Sequence, residues 1–242
     1  MPFFPQFSNL FVAPYTPTAQ LNPADIGGLA VWLKADTGVT ESGGVVTIWE
    51  DQSGNGNDAS NGTSPVLIAS AINGMPAIEF SNGAWLQIPE NNIGDSGNLS
   101  VFIAINYTSG GVLLNKGDAA TFENTAWEMT PQNGFGFVKN DGGNYSWNVV
   151  NFTPSGLSLI TMITTSGVTE LFNNNTSEGT SSDATPVNQV YQYIGIGGGG
   201  TDGNTTEGLE AEIAEIIIYD SALSTQDKDG VQAYLNDKYA IY

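Results

Sequence analysis

Glu210-Ala211-Glu212-Ile213-Ala214-Glu215-Ile216-Ile217-Ile218-Tyr219, running on through Asp220-Ser221-Ala222-Leu223-Ser224, is the stretch around which this chain is organised. Its β-branched and aromatic run lies between Gly208 and the turn residues Asp220 and Ser221. That pattern reads as a buried strand, too short to span a membrane. After the strand the period changes. Ser224 is placed as an N-cap, Asp227 takes the capping-box position in place of Glu, and Val231, Tyr234 and Leu235 recur at helical spacing. This predicts one amphipathic helix from about Ser224 to Lys238, lying on the edge of a sandwich.

Upstream, the chain reads as sheet. Gly28 to Leu33 and Val45 to Trp49 are strand-like, separated by the Gly43-Gly44 turn. Pro76 to Phe80, Ala84 to Ile88, Leu99 to Tyr107, Val112 to Lys116, Trp127 to Thr130, Gly134 to Val138, Asn144 to Val150, Leu157 to Thr165, Val168 to Phe172 and Tyr191 to Ile196 continue the meander. Many short strands with turn signals and no intervening helix predict an all-β, antiparallel sandwich. Trp32, Trp49 and Trp85 sit on strongly patterned strands and are expected in its core. At 242 residues, with 40% hydrophobic content and 30 glycines, one such domain over 19–242 accounts for the chain after a short leader.

Charge excludes several functions. There are 25 acidic residues against five lysines and no arginine, a net charge of -20. Such a surface repels phosphate backbones and anionic membranes, so nucleic acid and lipid are not expected partners. Neutral glycans, divalent cations or another protein's surface are. The chain has neither Cys nor His, which removes disulfides, thiolate chemistry, Ser-His-Asp and Cys-His triads and most zinc sites. Catalysis would rest on carboxylates. Gly197-Gly198-Gly199-Gly200 lacks the following helix and the Lys of a phosphate-cradling loop and reads as a surface loop.

Residues 1–18 differ from the rest. Phe3, Phe4, Phe7, Phe11 and Tyr15 alternate irregularly with Pro2, Pro5, Pro14 and Pro17. Proline fixes φ and withholds donors, which predicts an extended arm. Two readings stand for its rings: they pack back on this domain, or they dock on a neighbouring structural subunit and make the protein oligomeric in assembly. The N-terminus has no signal-peptide pattern and no segment is long and apolar enough to cross a membrane. With an initiating Met, this points to release by lysis or a dedicated machine, and to a virion surface or extracellular location.

Asp51-Gln52-Ser53-Gly54-Asn55-Gly56-Asn57-Asp58 is dense in side-chain oxygens. Asp51, Ser53, Asn55 and Asn57 imitate the first half of a calcium loop, although Gly62 stands where the bidentate Glu belongs. Ca2+ ligation and a structural Asx-turn loop are the two readings.

Gly28 to Asp36, Trp49 to Asn57, Asn73 to Phe80 and Glu212 to Tyr219 recur in that order ahead of Ala222-Leu223-Ser224 and the closing helix. Together, over about residues 20–240, they resemble the laminin G-like, concanavalin A-like lectin/glucanase superfamily, as found in phage structural and adhesion proteins. The resemblance implies a jelly-roll of two curved antiparallel sheets with ligands on the concave face or rim loops. Fold alone does not decide function.

For glycan stacking the candidates are Trp127, Tyr145 and Trp147, with the core as the competing place for all three. Glu210, Glu212 and Glu215 have a spacing similar to the laminarinase-type glucanase signature. A regular strand, however, would turn Glu212 and Glu215 to opposite faces, and only a bulge would realign them. The expectation is a non-enzymatic virion structural protein, a capsid decoration or fibre-like subunit displaying a lectin-like face. The alternative is a free-standing carbohydrate-binding module, with glycoside hydrolysis behind both.

Overall fold

The structure, a computed structural model, describes residues 21–63, 65–81, 83–89, 91–116, 127–131, 134–141, 144–182, 193–198 and 208–242, with the side chains at 61 and 137–148 outside that description. The arm residues Phe3, Phe4, Phe7 and Phe11 lie outside the described residues. In chain order the strands are β1 (Leu29–Lys34), β2 (Val39–Ser42), β3 (Val45–Trp49), β4 (Ala59–Thr63), β5 (Val66–Ile72), β6 (Met75–Phe80), β7 (Trp85–Pro89), β8 (Leu99–Gly110) and β9 (Leu114–Lys116). There follow β10 (Trp127–Thr130), β11 (Gly134–Asp141), β12 (Asn144–Val150), β13 (Gly156–Thr165), β14 (Val168–Asn173), β15 (Thr176–Ser182), β16 (Tyr193–Ile196), β17 (Leu209–Tyr219) and α1 (Thr225–Tyr239).

The strands form two antiparallel sheets packed face to face, a jelly-roll sandwich. Sheet A runs β15-β14-β13-β8-β17-β6-β5, and sheet B runs β12-β11-β10-β9-β16-β7-β4-β3-β2. β17 is the spine of sheet A. It pairs with β8 along its length, while on its other side the first half meets β6 and the second half meets β1. The isoleucine run explains this position, because every residue from Ile213 to Tyr219 is buried. Ile213, Ile216 and Ile218 enter the core between the sheets, with Trp49, Phe80, Val101 and Trp127. Ile217 and Tyr219 point the other way, into a second cluster with Trp32, Phe102 and Leu159.

That second cluster exists because α1 lies on the outer face of sheet A. Val231, Leu235 and Tyr239 of the helix complete it. The helix therefore covers the face of the sheet and not its edge as the pattern had suggested. Its start follows the sequence reading: Ser224 Oγ accepts from Asp227 N at 3.2 Å and donates to Asp227 Oδ2 at 2.8 Å. Ser100 fastens the connection, donating to Ser221 O at 2.7 Å and accepting from Leu223 N at 2.9 Å. No described helix is long and apolar enough to cross a membrane.

A β-bulge in β17 decides which carboxylates share a face. The register to β8 slips between Ile213 and Glu215, so Ala214 and Glu215 both fall on the outer side. Glu210, Glu212 and Glu215 thus end on one face.

Candidate functional site on the outer face of sheet B

The three glutamates do not form an open pair. Glu215 is fully buried beneath α1, and its carboxylate accepts from Trp32 Nε1 at 2.6 Å, Lys238 Nζ at 2.7 Å and Tyr239 OH at 2.8 Å. Burial, reinforced by this carboxylate, pushes the Tyr239 and Tyr234 hydroxyls well above the ordinary tyrosine range. Glu212 lies further along the face, accepting from Asn106 Nδ2 at 2.9 Å. With Glu79 and Glu210 it lines a separate polar hollow of about 200 Å³.

The loop at 51–58 is tied inward. Asp51 Oδ1 accepts from Trp32 N and Ser53 N, both at 2.9 Å, and Oδ2 accepts from Ser53 Oγ at 2.6 Å and Asn57 N at 3.0 Å. Ser53 Oγ also reaches Ala30 O at 3.2 Å, Asn55 Nδ2 donates to Leu29 O at 2.8 Å, and Asn57 Nδ2 donates to Ala30 O at 2.8 Å. The four groups proposed as calcium ligands are therefore brought together, but as a clamp on the backbone of β1 and not as oxygens converging on a point. Among the described residues no group of three or more acidic, His or Cys side chains is placed to hold a metal ion. The Asx-turn reading is the one this geometry fits.

Two of the aromatic expectations need correcting. Trp127 has no exposed surface and sits in the inter-sheet core, so it has no face to offer a sugar. Trp85, expected in the core, is half-buried instead. Its neighbours Leu86 and Ile88 point inward, so pleat alternation sends Trp85 and Gln87 outward. Tyr145 and Trp147 lie on edge strand β12 at register positions opposite Asn140 and Val138, with side chains outside the described residues.

The outer face of sheet B holds what the rings alone did not reveal. Ile194 and Ile196 point inward, leaving Tyr193 and Gly195 outward on β16; Trp127 and Met129 point inward, leaving Glu128 and Thr130 outward on β10. Cross-strand register then sets one row across five strands: Gln87, Gly195, Asn115, Glu128 and Gly136. Trp85 flanks this row on one side and Tyr193 on the other, each about 7 Å along its strand. Gln87, Asn115, Glu128 and Thr130 are all buried. Asn115 is unmet at both ends of its amide: its Oδ1 and Nδ2 are enclosed and neither has a hydrogen-bond partner. Each such orphan costs about 1–3 kcal/mol.

Comparison with solved structures places this architecture. No protein-family model matches the sequence, and no curated protein matches it. Domain 4 of AbnA, a GH43 extracellular arabinanase from Geobacillus stearothermophilus solved with arabinotriose, superposes with a TM-score of 0.60 at 14% identity, covering 87% of this chain and 98% of that one. The binding domain of Paraclostridial Mosquitocidal Protein 1 gives a TM-score of 0.60 at 13% identity over 90% of this chain, and the Botulinum neurotoxin serotype D binding domain 0.58 at 18% over 85%. The chain spans about half the length of each toxin domain, 53% and 50%. At these identities the likeness is one of fold: a jelly-roll sandwich of two antiparallel sheets.

Proposed function

We propose that this domain is a non-enzymatic glycan-binding module whose site is the outer face of sheet B. The observation that carries the reading is the pair Trp85 and Tyr193, both half-buried on the outer face of sheet B. The C–H faces of sugars stack on such rings. Asn115, in the row between them, has no exposed surface, so the direct contact falls to the rings. The neighbouring Glu128 and the net charge of -20 favour neutral sugars over sialylated or uronic ones. That an arabinanase domain of the same fold was solved with arabinotriose supports the ligand class.

The test is a neutral-glycan array followed by calorimetry on the tightest hit, with arabinotriose as the first probe. Trp85→Ala and Tyr193→Ala, each checked for a native circular-dichroism spectrum, are expected to weaken binding about ten-fold or more, roughly 1.4 kcal/mol. Unchanged affinity in both folded variants refutes the site.

The arm favours a virion placement for this glycan face, since proline-spaced rings at Phe3, Phe4, Phe7 and Phe11 suit docking on a neighbouring structural subunit. Light scattering of the full chain and of residues 19–242, with and without calcium, tests it. An assembling full chain and a monomeric, folded truncation support the arm; two monomers count against it.

A further inference from the structure

The two rings on the outer face of sheet B are neighbours across the sheet but far apart along it. Trp85 opens β7, whereas Tyr193 opens β16 opposite Pro89, at the far end of β7. Because β7 and β16 are paired antiparallel, the rings are offset by one strand across the sheet and by the length from Trp85 to Pro89 along it. A rise of about 3.4 Å per residue and a strand spacing of about 4.8 Å set their anchor points about 14 Å apart, and a sugar unit advances its chain by roughly a third of that span.

The outward positions between the rings are low. On β16 the next one after Tyr193 is Gly195, which has no side chain, and on β7 the next one after Trp85 is Gln87, which is buried. Glycine inside a strand weakens it, and often stands where something approaches the backbone closely. Among the described residues of these two strands, the half-buried rings are therefore the raised points, with no tall side chain between them. Resting on the glycan reading above, we infer that the ligand is a linear neutral oligosaccharide of about four units or more, laid along β7 and β16 and stacked on Trp85 near one end and Tyr193 near the other. A monosaccharide or disaccharide reaches one ring only. A longer chain that has settled on one ring meets the second as an intramolecular partner, so two weak contacts reinforce each other. The face then favours segments of a polymer over free sugars.

Calorimetry on the full chain at physiological salt decides it, using arabino-oligosaccharides and cello-oligosaccharides of two to six units. In the series that binds, affinity is expected to rise about ten-fold or more from two units to four and to level off beyond five. Trp85→Ala and Tyr193→Ala, each with a native circular-dichroism spectrum, are expected to bring the four-unit sugar down to the affinity of the two-unit one and to flatten the series. Equal affinity for two and four units in the parent chain, or a length step that survives loss of either ring, overturns the inference and leaves the glycan site standing. No binding in either series also overturns it, and a blank neutral-glycan array in addition overturns the glycan reading itself.

Discussion

Replacing Glu215 with Ala is the sharpest test of how this fold is held. The carboxylate has no exposed surface and accepts three short, directed hydrogen bonds, from Trp32 on β1 and from Lys238 and Tyr239 on α1. It is the joint between the β17 bulge, the neighbouring strand and the helix. Truncation strands Trp32 Nε1 in a dry site and leaves Tyr239 OH with only a long contact to Ala214 O at 3.4 Å. Lys238 is partly compensated, because Asp36 Oδ2 lies 3.0 Å away. Breaking one member of a buried ion pair costs about 3–5 kcal/mol, and the retained Asp36 contact places this case near the lower end, about 3 kcal/mol. Glu215→Gln keeps an acceptor for Trp32 and forfeits the charge, so its expected loss is smaller, about 1–2 kcal/mol. Urea unfolding at pH 7, followed by tryptophan fluorescence, reads both through the midpoint at constant slope. A loss under about 1 kcal/mol for the Ala variant would refute the joint. A gain in stability would mean a carboxylate held at a structural cost for chemistry, and would reopen the hydrolase alternative.

Two further outcomes follow from the same contacts. Tyr239 and Tyr219, both buried, have hydroxyls raised above the ordinary tyrosine value of 10.0, burial first and Glu215 among the further causes. The unfolded chain therefore loses these protons first: stability is complete below about pH 10 and falls as pH rises past it, by about 1.4 kcal/mol per pH unit for each such tyrosine. Urea midpoints between pH 9 and 11 should drop less steeply in Tyr239→Phe, and parallel slopes would contradict this. In the 51–58 loop, Asp51→Ala strands the backbone N–H groups of Trp32, Ser53 and Asn57 and should cost about 2–4 kcal/mol. EDTA should leave the melting temperature of the parent chain unmoved, whereas a drop on chelation would restore the calcium reading.

How far the sequence foretold this depends on where the information lies. β17 and the cap of α1 were legible because local chemistry decides them: an isoleucine run cannot stay in water, and Ser224 with Asp227 closes a capping box. β2 and β15 were not, since Val39–Ser42 and Thr176–Ser182 are mostly exposed and carry little apolar periodicity. They are strands because β3 and β14 offer free edges to pair with. The misplaced Trp127 shows a different limit. Trp127-Glu128-Met129-Thr130 alternates apolar and polar, a pattern that already turns the indole inward and Glu128 outward; choosing rings by their affinity for sugars overrode it. Asn115 had no signal of its own. Its isolation arises only when β9 is placed between β16 and β10.

The positions left for a ligand follow from how each face is spent. The inner faces of both sheets are filled by the core that holds Trp49, Phe80 and Trp127. The outer face of sheet A is taken over much of its area by α1, and the bulge at Ala214 and Glu215 exists to seat that helix. Among the described residues no helix packs on the outer face of sheet B, where Trp85 and Tyr193 keep part of their ring surface exposed. The glutamates of β17 are held by the fold itself, Glu215 beneath α1 and Glu212 by Asn106. For that reason the half-buried rings of sheet B, and not those more conspicuous carboxylates, are where the functional reading rests.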